Sequence, residues 1–223
     1  MKHLTLSPYR AGMKVWVSIP RTDDIEHRAI AGMLFADRTQ YYCWGEELPE
    51  TYIKQHLTPF GEYIPLRSLA RIVSPLVDEV EDFSPGDSGN TFQIGSIEVA
   101  PVICYELIDD ALLEKAAKNS NILAVQTNSA TFGMSAESAQ QLSITRIRAI
   151  EHGRNIASVS TTGYSAIIDS SGKILQQTSM GTADSIRAEV DLIEGLTPRD
   201  RAGDWALIGV LVALFLVARR AYT

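Results

Sequence analysis

One short stretch, residues 101–106 (Pro-Val-Ile-Cys-Tyr-Glu), constrains this chain most, because a β-branched apolar run ends abruptly in a thiol. Apolar residues on both sides of Pro101 favour a buried strand, and two aspartates then open a helical stretch that runs to Lys118. A cysteine at such a junction lies near backbone N–H groups and a positive helix end, which lower its pKa. The stretch predicts a strand that delivers Cys104 as a nucleophile; the alternative is a small buried hydrophobe.

Four further blocks accompany this stretch. Residues 52–66 have the pattern K-x-H-L-x-P-F-G-E-Y-x-P-L, and the later blocks are T-N-S-A-T-F-G at 127–133, R-A-I-E-H-G-R at 148–154 and T-T-G-Y-S-A at 161–166. Together, and in this order, they resemble the nitrilase (carbon–nitrogen hydrolase) superfamily. The lysine block is similar to the apolipoprotein N-acyltransferase family in particular. The resemblance extends from about Met13 to the end of the chain.

This resemblance implies an α/β fold, the four-layer α-β-β-α nitrilase sandwich, over residues 1–200. It also implies a phospholipid:apolipoprotein N-acyltransferase, which carries an acyl chain through a cysteine thioester to the N-terminal amine of a diacylated lipoprotein. The expected partners are therefore a phospholipid donor, a lipoprotein acceptor and a membrane.

The resemblance also implies roles for single residues. Cys104 is the expected nucleophile, and the Lys54 ammonium is the expected oxyanion stabiliser. Glu62 and Glu106 match carboxylates that orient the lysine and the general base. Two aromatic residues are expected to support substrate binding: Tyr105, for which core packing is the alternative, and Phe132. Ser129 and Thr131 stand where the family loop tends to have Asp and Trp, so substrate contacts there are expected to differ.

The chief departure from the family concerns the general base. In the family, a glutamate in a Trp-Pro-Glu context, well upstream of the lysine, takes the proton of the thiol. Glu50 follows a proline but lies too close to Lys54, and the earlier glutamates have neither the context nor the position. We therefore expect an N-terminally truncated domain with little activity alone, because losing a general base commonly costs ~10²–10⁴-fold in rate.

The C-terminal segment, residues 201–223, is predicted to be a transmembrane helix. Its apolar run from Trp205 to Ala218 is shorter than the ~20 residues that usually span a bilayer, and a buried core helix is the alternative. A boundary tryptophan, two terminal arginines and apolar character all round favour the membrane. The positive-inside rule places Arg219 and Arg220 in the cytoplasm and the domain across the membrane. The resemblance implies that this is the bacterial inner membrane, with the domain on its periplasmic side.

Composition excludes several classes of protein. With 223 residues, 45% of them hydrophobic, the chain can bury a single-domain core. A net charge of −7 argues against a nucleic-acid partner. Cys43 and Cys104 are too few for a disulfide framework, and Cys43 is predicted to be a buried strand residue. The four histidines form no ligand pattern, so no metal or cofactor is expected.

Periodicity predicts the remaining elements. The first ten residues show no clear pattern. A helix is expected from Ser135 to His152, with Gly153 as its end and a buried stripe of Ile144, Ile147 and Ile150. A short helical pattern, interrupted by Pro75, is expected over Arg67 to Val77. A strand at 122–126 is expected beside the Cys104 strand. The other predicted strands cover 13–19, 30–36, 92–98, 156–160, 164–169, 174–177 and 185–190.

Two alternative functions stay open. The first is a soluble amidase of the same superfamily that hydrolyses small C–N bonds; the C-terminal apolar helix argues against it, because such an enzyme does not use one. The second is a non-catalytic, membrane-anchored remnant, which the absence of an upstream glutamate favours.

Overall fold

The structure is a computed structural model that describes residues 2–9, 12–18, 32–37, 40–44, 50–74, 77, 82–87, 91–94, 97–182, 184–203 and 205–221. It has two six-stranded sheets. The first has the order β12-β1-β2-β3-β4-β5, with every neighbouring pair antiparallel. Its strands are β1 (Lys2–Tyr9), β2 (Gly12–Ser18), β3 (Gly32–Asp37), β4 (Gln40–Trp44), β5 (Glu50–Ile53) and β12 (Ile186–Val190).

The second sheet is mixed and has the order β11-β10-β9-β8-β7-β6. Its three central strands are parallel, and the strands outside them pair antiparallel. The strands are β6 (Phe92–Ile94), β7 (Ile97–Ile103), β8 (Ile122–Thr127), β9 (Asn155–Ser160), β10 (Ala166–Ile168) and β11 (Ile174–Gln177). The predicted neighbour relation of β8 and β7 is confirmed.

Two crossover helices connect the parallel strands, as parallel pairing requires. The first, α2 (Asp110–Lys118), begins after Asp109, whose side chain accepts a hydrogen bond from the Leu112 N–H at 3.0 Å. The second, α3 (Glu137–His152), ends at Gly153, which has a φ of 57°. A left-handed C-terminal residue of this kind is the usual role of glycine, and the predicted helix end is confirmed.

The second sheet is buried on both faces. One face packs against α2 and α3 through residues that include Leu113, Leu123 and Ala149. The opposite face meets the first sheet, and its core includes Ile103, Tyr52 of β5 and Ile186 of β12. These contacts give a helical layer and two stacked sheets, as the α/β prediction requires. The fourth, helical layer over the first sheet stays a prediction.

The predicted buried stripe on α3 is wrong at two of its three positions. Ile147 is 60% exposed and Ile150 is 56% exposed, whereas Thr145 and Ala149 are fully buried. The physical reason is that small side chains allow the helix to approach the sheet closely. A prediction from apolar character alone therefore chose the wrong face of α3 as the face that packs against the sheet.

Strand β1 is a second correction, because it lies within the ten residues where no pattern was found. It pairs with β12 from Lys2↔Val190 to Leu6↔Ile186, and with β2 on its other side. Such long-range pairing leaves little local trace in the sequence. The predicted strand position of Cys43 is confirmed in β4, whereas its burial lies outside the described residues.

Three short or terminal helices complete the chain: α1 (Arg67–Val73), α4 (Pro198–Ala202) and α5 (Trp205–Ala221). Three consecutive residues of α5, Val210, Leu211 and Val212, are 52–56% exposed. Because consecutive helical residues point in different directions, apolar side chains of α5 are solvent-exposed on several sides of the helix. Within the ranges given above, no helix combines the length and apolar character needed to cross a membrane.

Candidate active site

Cys104 lies at the carboxyl end of β7, where it begins a 3₁₀ turn over Cys104–Ile108. Its φ is 49°, in the left-handed region that costs a non-glycine residue roughly 1–2 kcal/mol. Strained backbone of this kind is concentrated at functional sites. The thiol is half-buried, as expected for a residue that leaves a buried strand at the edge of the sheet.

Lys54 follows β5 directly and is completely buried. Its Nζ atom lies 2.6 Å and 2.8 Å from the two carboxylate oxygens of Glu62 and 3.3 Å from the Thr58 hydroxyl. The N–H of Thr58 donates to Glu62 Oε2 at 2.7 Å, so the carboxylate is held from two sides. Burial of a charged lysine is tolerated because this close pairing compensates for lost hydration.

Burial raises the pKa of the Cys104 thiol, and the nearby Lys54 ammonium opposes this rise without cancelling it. The charges of Glu62 and Glu137 raise the thiol pKa further. The net direction is therefore opposite to the lowered pKa expected from the sequence, although a backbone hydrogen bond from Tyr105 does lower the thiol pKa. The physical reason is that Cys104 lies in the 3₁₀ turn, whereas α2 begins only at Asp110, and loss of hydration dominates.

Glu106 joins the lysine segment to the cysteine turn. Its completely buried carboxylate accepts hydrogen bonds from the N–H groups of Ile103 at 2.6 Å, Gln55 at 2.6 Å and His56 at 3.3 Å, and from the Tyr52 hydroxyl at 3.0 Å. Burial raises the pKa of Glu106 despite these four donors. This carboxylate therefore holds the backbone on both sides of the site.

The two aromatic candidates occupy different surroundings. The Tyr105 ring meets the His56 ring edge-on, with centroids 5.2 Å apart. His56 Nδ1 in turn lies 2.6 Å from Asp109. Phe132 lies on the 3₁₀ turn Ala130–Phe132 after β8 and is 51% exposed. The structure thus places Tyr105 beside the buried cluster and leaves Phe132 at the surface.

Several polar residues of this region were missed by sequence reasoning. Tyr52 and Gln55 support Glu106, and only their position inside the lysine block pointed to them. The Gln126 side chain is fully buried in β8, next to Ile103 of β7, and neither of its polar atoms has a hydrogen-bond partner among the described residues. One oxygen of Glu137 is likewise buried with no partner in the part of the chain that the structure describes, and no sequence signal set this residue apart from an ordinary glutamate at a helix start.

A groove of about 670 Å³ opens beside His56 and Asp109. Its lining includes Tyr63, Phe83 and Leu112, but neither Cys104 nor Lys54. It therefore lies next to the cluster rather than over the reacting atoms. In the part of the chain that is described, no group of three His, Cys, Asp or Glu side chains could hold a metal ion.

The arrangement brings together a half-buried cysteine after β7, a buried lysine after β5 and supporting carboxylates. The sequence profile of the carbon–nitrogen hydrolase family matches residues 14–195, and the chain belongs to this family.

Among curated proteins, the apolipoprotein N-acyltransferase of Photobacterium profundum is 33% identical over 181 residues, which are 76% of this chain and 34% of that protein. The apolipoprotein N-acyltransferase of Pseudomonas aeruginosa is 34% identical over 75% of this chain, and that of Nitrosomonas europaea is 34% identical over 79% of it. These matches cover 33% and 36% of the two relatives. The chain therefore spans about a third of the length of the curated relatives it matches.

Solved structures of the nitrilase superfamily share the fold. Nit3 of Saccharomyces cerevisiae aligns with a TM-score of 0.53 and 19% identity, over 87% of this chain and 62% of its own. An amidase of Nesterenkonia AN1 aligns with a TM-score of 0.51 and 15% identity, over 72% of this chain and 55% of its own. Together with the observed sheets, these likenesses establish the nitrilase-like α/β fold.

Proposed function

We propose that this chain carries the nucleophile of a phospholipid:apolipoprotein N-acyltransferase. The observation that carries the proposal is the ion pair between the completely buried Lys54 and the mostly buried Glu62, whose charges act on the Cys104 thiol. The curated relatives named for this activity supply the substrate class. Because the match covers only about a third of each relative, activity of this chain alone is part of what has to be tested.

The proposed reaction has two steps. The Cys104 thiolate attacks the ester carbonyl of a phospholipid, the C–O bond breaks, and the lysophospholipid leaves with a proton. The amine of the N-terminal cysteine of a diacylated lipoprotein then attacks the thioester. The C–S bond breaks, an amide forms, and the amine proton returns the cysteine to its thiol form.

Each site residue has a proposed part in these steps. Lys54 stabilises the oxyanion that forms at the carbonyl, and Glu62 holds its ammonium in place. Glu106 holds the lysine segment and the cysteine turn in a constant position relative to each other, because its carboxylate accepts hydrogen bonds from both. Tyr105 and Phe132 contact the substrate, with Phe132 exposed where an acyl chain could reach it.

We further propose that residues 1–200 form the catalytic domain and that the C-terminal segment associates it with the bacterial inner membrane. Support comes from α5, whose leucine, valine and phenylalanine side chains are exposed on several sides, with Arg219 and Arg220 in its last turn. Exposed apolar surface of this kind is costly in water. In this arrangement the arginine end faces the cytoplasm and the domain faces the periplasm.

The test uses the whole chain in detergent micelles with a phospholipid that carries an alkyne-tagged acyl chain. A tagged, hydroxylamine-sensitive adduct on Cys104, followed by transfer to a diacylglyceryl-cysteine peptide, would support the proposal. Cys104→Ala should abolish both steps, and Cys43→Ala serves as the matched thiol control. Hydrolysis of small amides without acyl transfer would instead support the amidase. A correctly folded chain without either activity would support the non-catalytic remnant.

A further inference from the structure

One motif of the sequence, residues 148–154, has no part yet in the proposed reaction. Its first residue, Arg148, lies on α3, and its side chain is only 12% exposed. The guanidinium contacts three elements. Its Nε atom donates to the Leu107 carbonyl at 2.8 Å, and its two terminal nitrogens lie 2.6 Å from carboxylate oxygens of Asp110 and Glu151. Charged groups paired in this way are held in one geometry.

The Leu107 carbonyl belongs to the 3₁₀ turn Cys104–Ile108, the cysteine turn, which begins with the nucleophile. Carbonyl groups at the end of a helical turn lack partners within it, and water has little access to this one because Leu107 is buried. Arg148 supplies a donor to this oxygen, and a charged donor makes one of the stronger hydrogen bonds in proteins. The bond therefore ties the end of the cysteine turn to α3.

The start of the cysteine turn is strained. Cys104 has a φ of 49°, which a non-glycine residue keeps only where the surrounding structure enforces it. Before the nucleophile, the Ile103 N–H donates to Glu106 Oε2 at 2.6 Å. After it, the Leu107 carbonyl accepts from Arg148. The strained residue is thus held between two charge-assisted hydrogen bonds, one to the carboxylate that also binds the lysine segment and one to α3.

We propose that Arg148 is a positioning residue for acyl transfer, which holds the Leu107 carbonyl and thereby keeps Cys104 in the left-handed conformation from which its thiol attacks. The inference rests on the proposed function, in which Cys104 is the nucleophile and Lys54 stabilises the oxyanion. Arg148 acts through the cysteine turn and neither transfers a proton nor forms a covalent bond. Because the Lys54 charge acts on the thiol, a displacement of the turn changes this electrostatic influence.

Arginine suits this role because its planar guanidinium presents five N–H donors in a fixed fork. A lysine at position 148 would keep the positive charge and would still pair with Asp110 or Glu151. Its ammonium is a compact charge on a flexible stem, so it does not reproduce the fork. Arg148→Lys therefore removes the fixed geometry and keeps the charge.

The alternative is a structural role in which Arg148 only joins α2 to α3 through its two ion pairs. In that case Arg148→Lys would lower the stability of the chain and leave the reactivity of Cys104 as it is in the wild type. Asp110→Asn, which removes one of the two ion pairs at a carboxylate that is 61% exposed, separates the ion pairs from the bond to Leu107.

The first test is a double-variant cycle on the whole chain, and it needs no acyl transfer. The pH profile of Cys104 alkylation by iodoacetamide is read by mass spectrometry of the peptide that contains Cys104. Lys54→Met should move the alkylation midpoint upward, because the Lys54 ammonium lowers the thiol pKa. This shift should largely disappear in the Arg148→Lys background, because the ammonium and the thiol are no longer held together. A purely structural arginine predicts the same shift in both backgrounds.

The second test is thioester formation from the tagged phospholipid. Arg148→Lys should lower the maximal rate by ~10²-fold, because a misplacement of about 1 Å in a reacting group has an effect of this size. The KM for the phospholipid should stay at the wild-type value, since the substitution leaves the substrate-binding surface in place.

Arg146→Lys is the matched control. Arg146 lies on the same helix, and its Nε atom also donates to a carbonyl at 2.8 Å, that of Gly172 between β10 and β11. Neither assay should change in Arg146→Lys or in Asp110→Asn. If Lys54→Met does not fold, Glu62→Gln, which should lower the midpoint, replaces it in the cycle.

The proposal is overturned if Lys54→Met shifts the alkylation midpoint equally in both backgrounds, or if Arg148→Lys forms the thioester at the wild-type rate. It is also overturned if Asp110→Asn reproduces the effects of Arg148→Lys. If the wild type forms no thioester, the proposed function fails, whereas the alkylation cycle still decides whether Arg148 positions the thiol.

Discussion

Replacement of Lys54 by methionine tests the central ion pair of the site. The lysine is completely buried, and its ammonium lies 2.6 Å from Glu62, whose side chain is 17% exposed. Removing one partner of a buried pair typically costs 3–5 kcal/mol, because the other charge stays behind without compensation. Since Glu62 retains some contact with water, we expect the lower end of this range, about 3 kcal/mol.

The assay is urea unfolding of Lys54→Met, Glu62→Gln and the double variant. The double variant should be less destabilised than the sum of the two single variants, because neither charge is left alone. Lys118→Met is the matched control, since its pair with Glu114 joins partly exposed side chains on α2. Such i,i+4 surface pairs contribute only about 0.3–0.5 kcal/mol.

The Lys54 and Glu62 variants should shift the pKa of the Cys104 thiol in opposite directions. Loss of the Lys54 ammonium should shift the pH midpoint of Cys104 alkylation upward, because that charge lowers the thiol pKa. Loss of the Glu62 charge should shift it downward. A loss of stability under 1 kcal/mol in Lys54→Met, or midpoints that move in the same direction, would refute the arrangement described here.

Three other changes test the surrounding frame by urea unfolding. Burial raises the pKa of Glu106, so the contribution of this carboxyl to the free energy of unfolding is present at low pH and is lost as pH rises through the raised pKa. Glu106→Gln should remove this pH-dependent contribution. If stability falls with pH in the same way in the variant and the wild type, the assignment is contradicted. Gly153→Ala should cost about 1–2 kcal/mol through its positive φ alone, with a further contribution from Thr197, and an unchanged midpoint would argue against the left-handed helix end. His152→Phe should cost about 1.5–3 kcal/mol, because it removes the donor that lies 2.7 Å from Oδ1 of the buried Asp200, while Oδ2 keeps the Thr197 hydroxyl at 3.1 Å. Equal stability would show that the His152–Asp200 pair does not hold α4 to α3.

Short-range features of the fold could be predicted from the sequence. The helix end at Gly153, the start of α2 after Asp109 and the cysteine at the end of β7 are all confirmed. Each depends on residues that are neighbours along the chain. The contact face of α3 could not be predicted in the same way, because it depends on how closely small side chains let the helix approach the sheet.

The site residues also divide into those that the sequence could predict and those that only packing reveals. The sequence motifs identified Lys54, Glu62, Cys104 and Glu106, and their catalytic roles stay predictions. Sequence reasoning missed Glu137, because an acidic residue at the start of a helix is ordinary, and only packing buries one of its oxygens.

By itself the sequence determined the family, the order of the strands and helices around Cys104, and the residue types of the site. Only the tertiary structure decided which charges lie together, which carboxylate oxygen is left without a partner and in which direction the thiol pKa moves. The reason is physical: backbone preferences and helix ends depend on adjacent residues, whereas loss of hydration and ion pairing depend on side chains that folding brings together from distant parts of the chain.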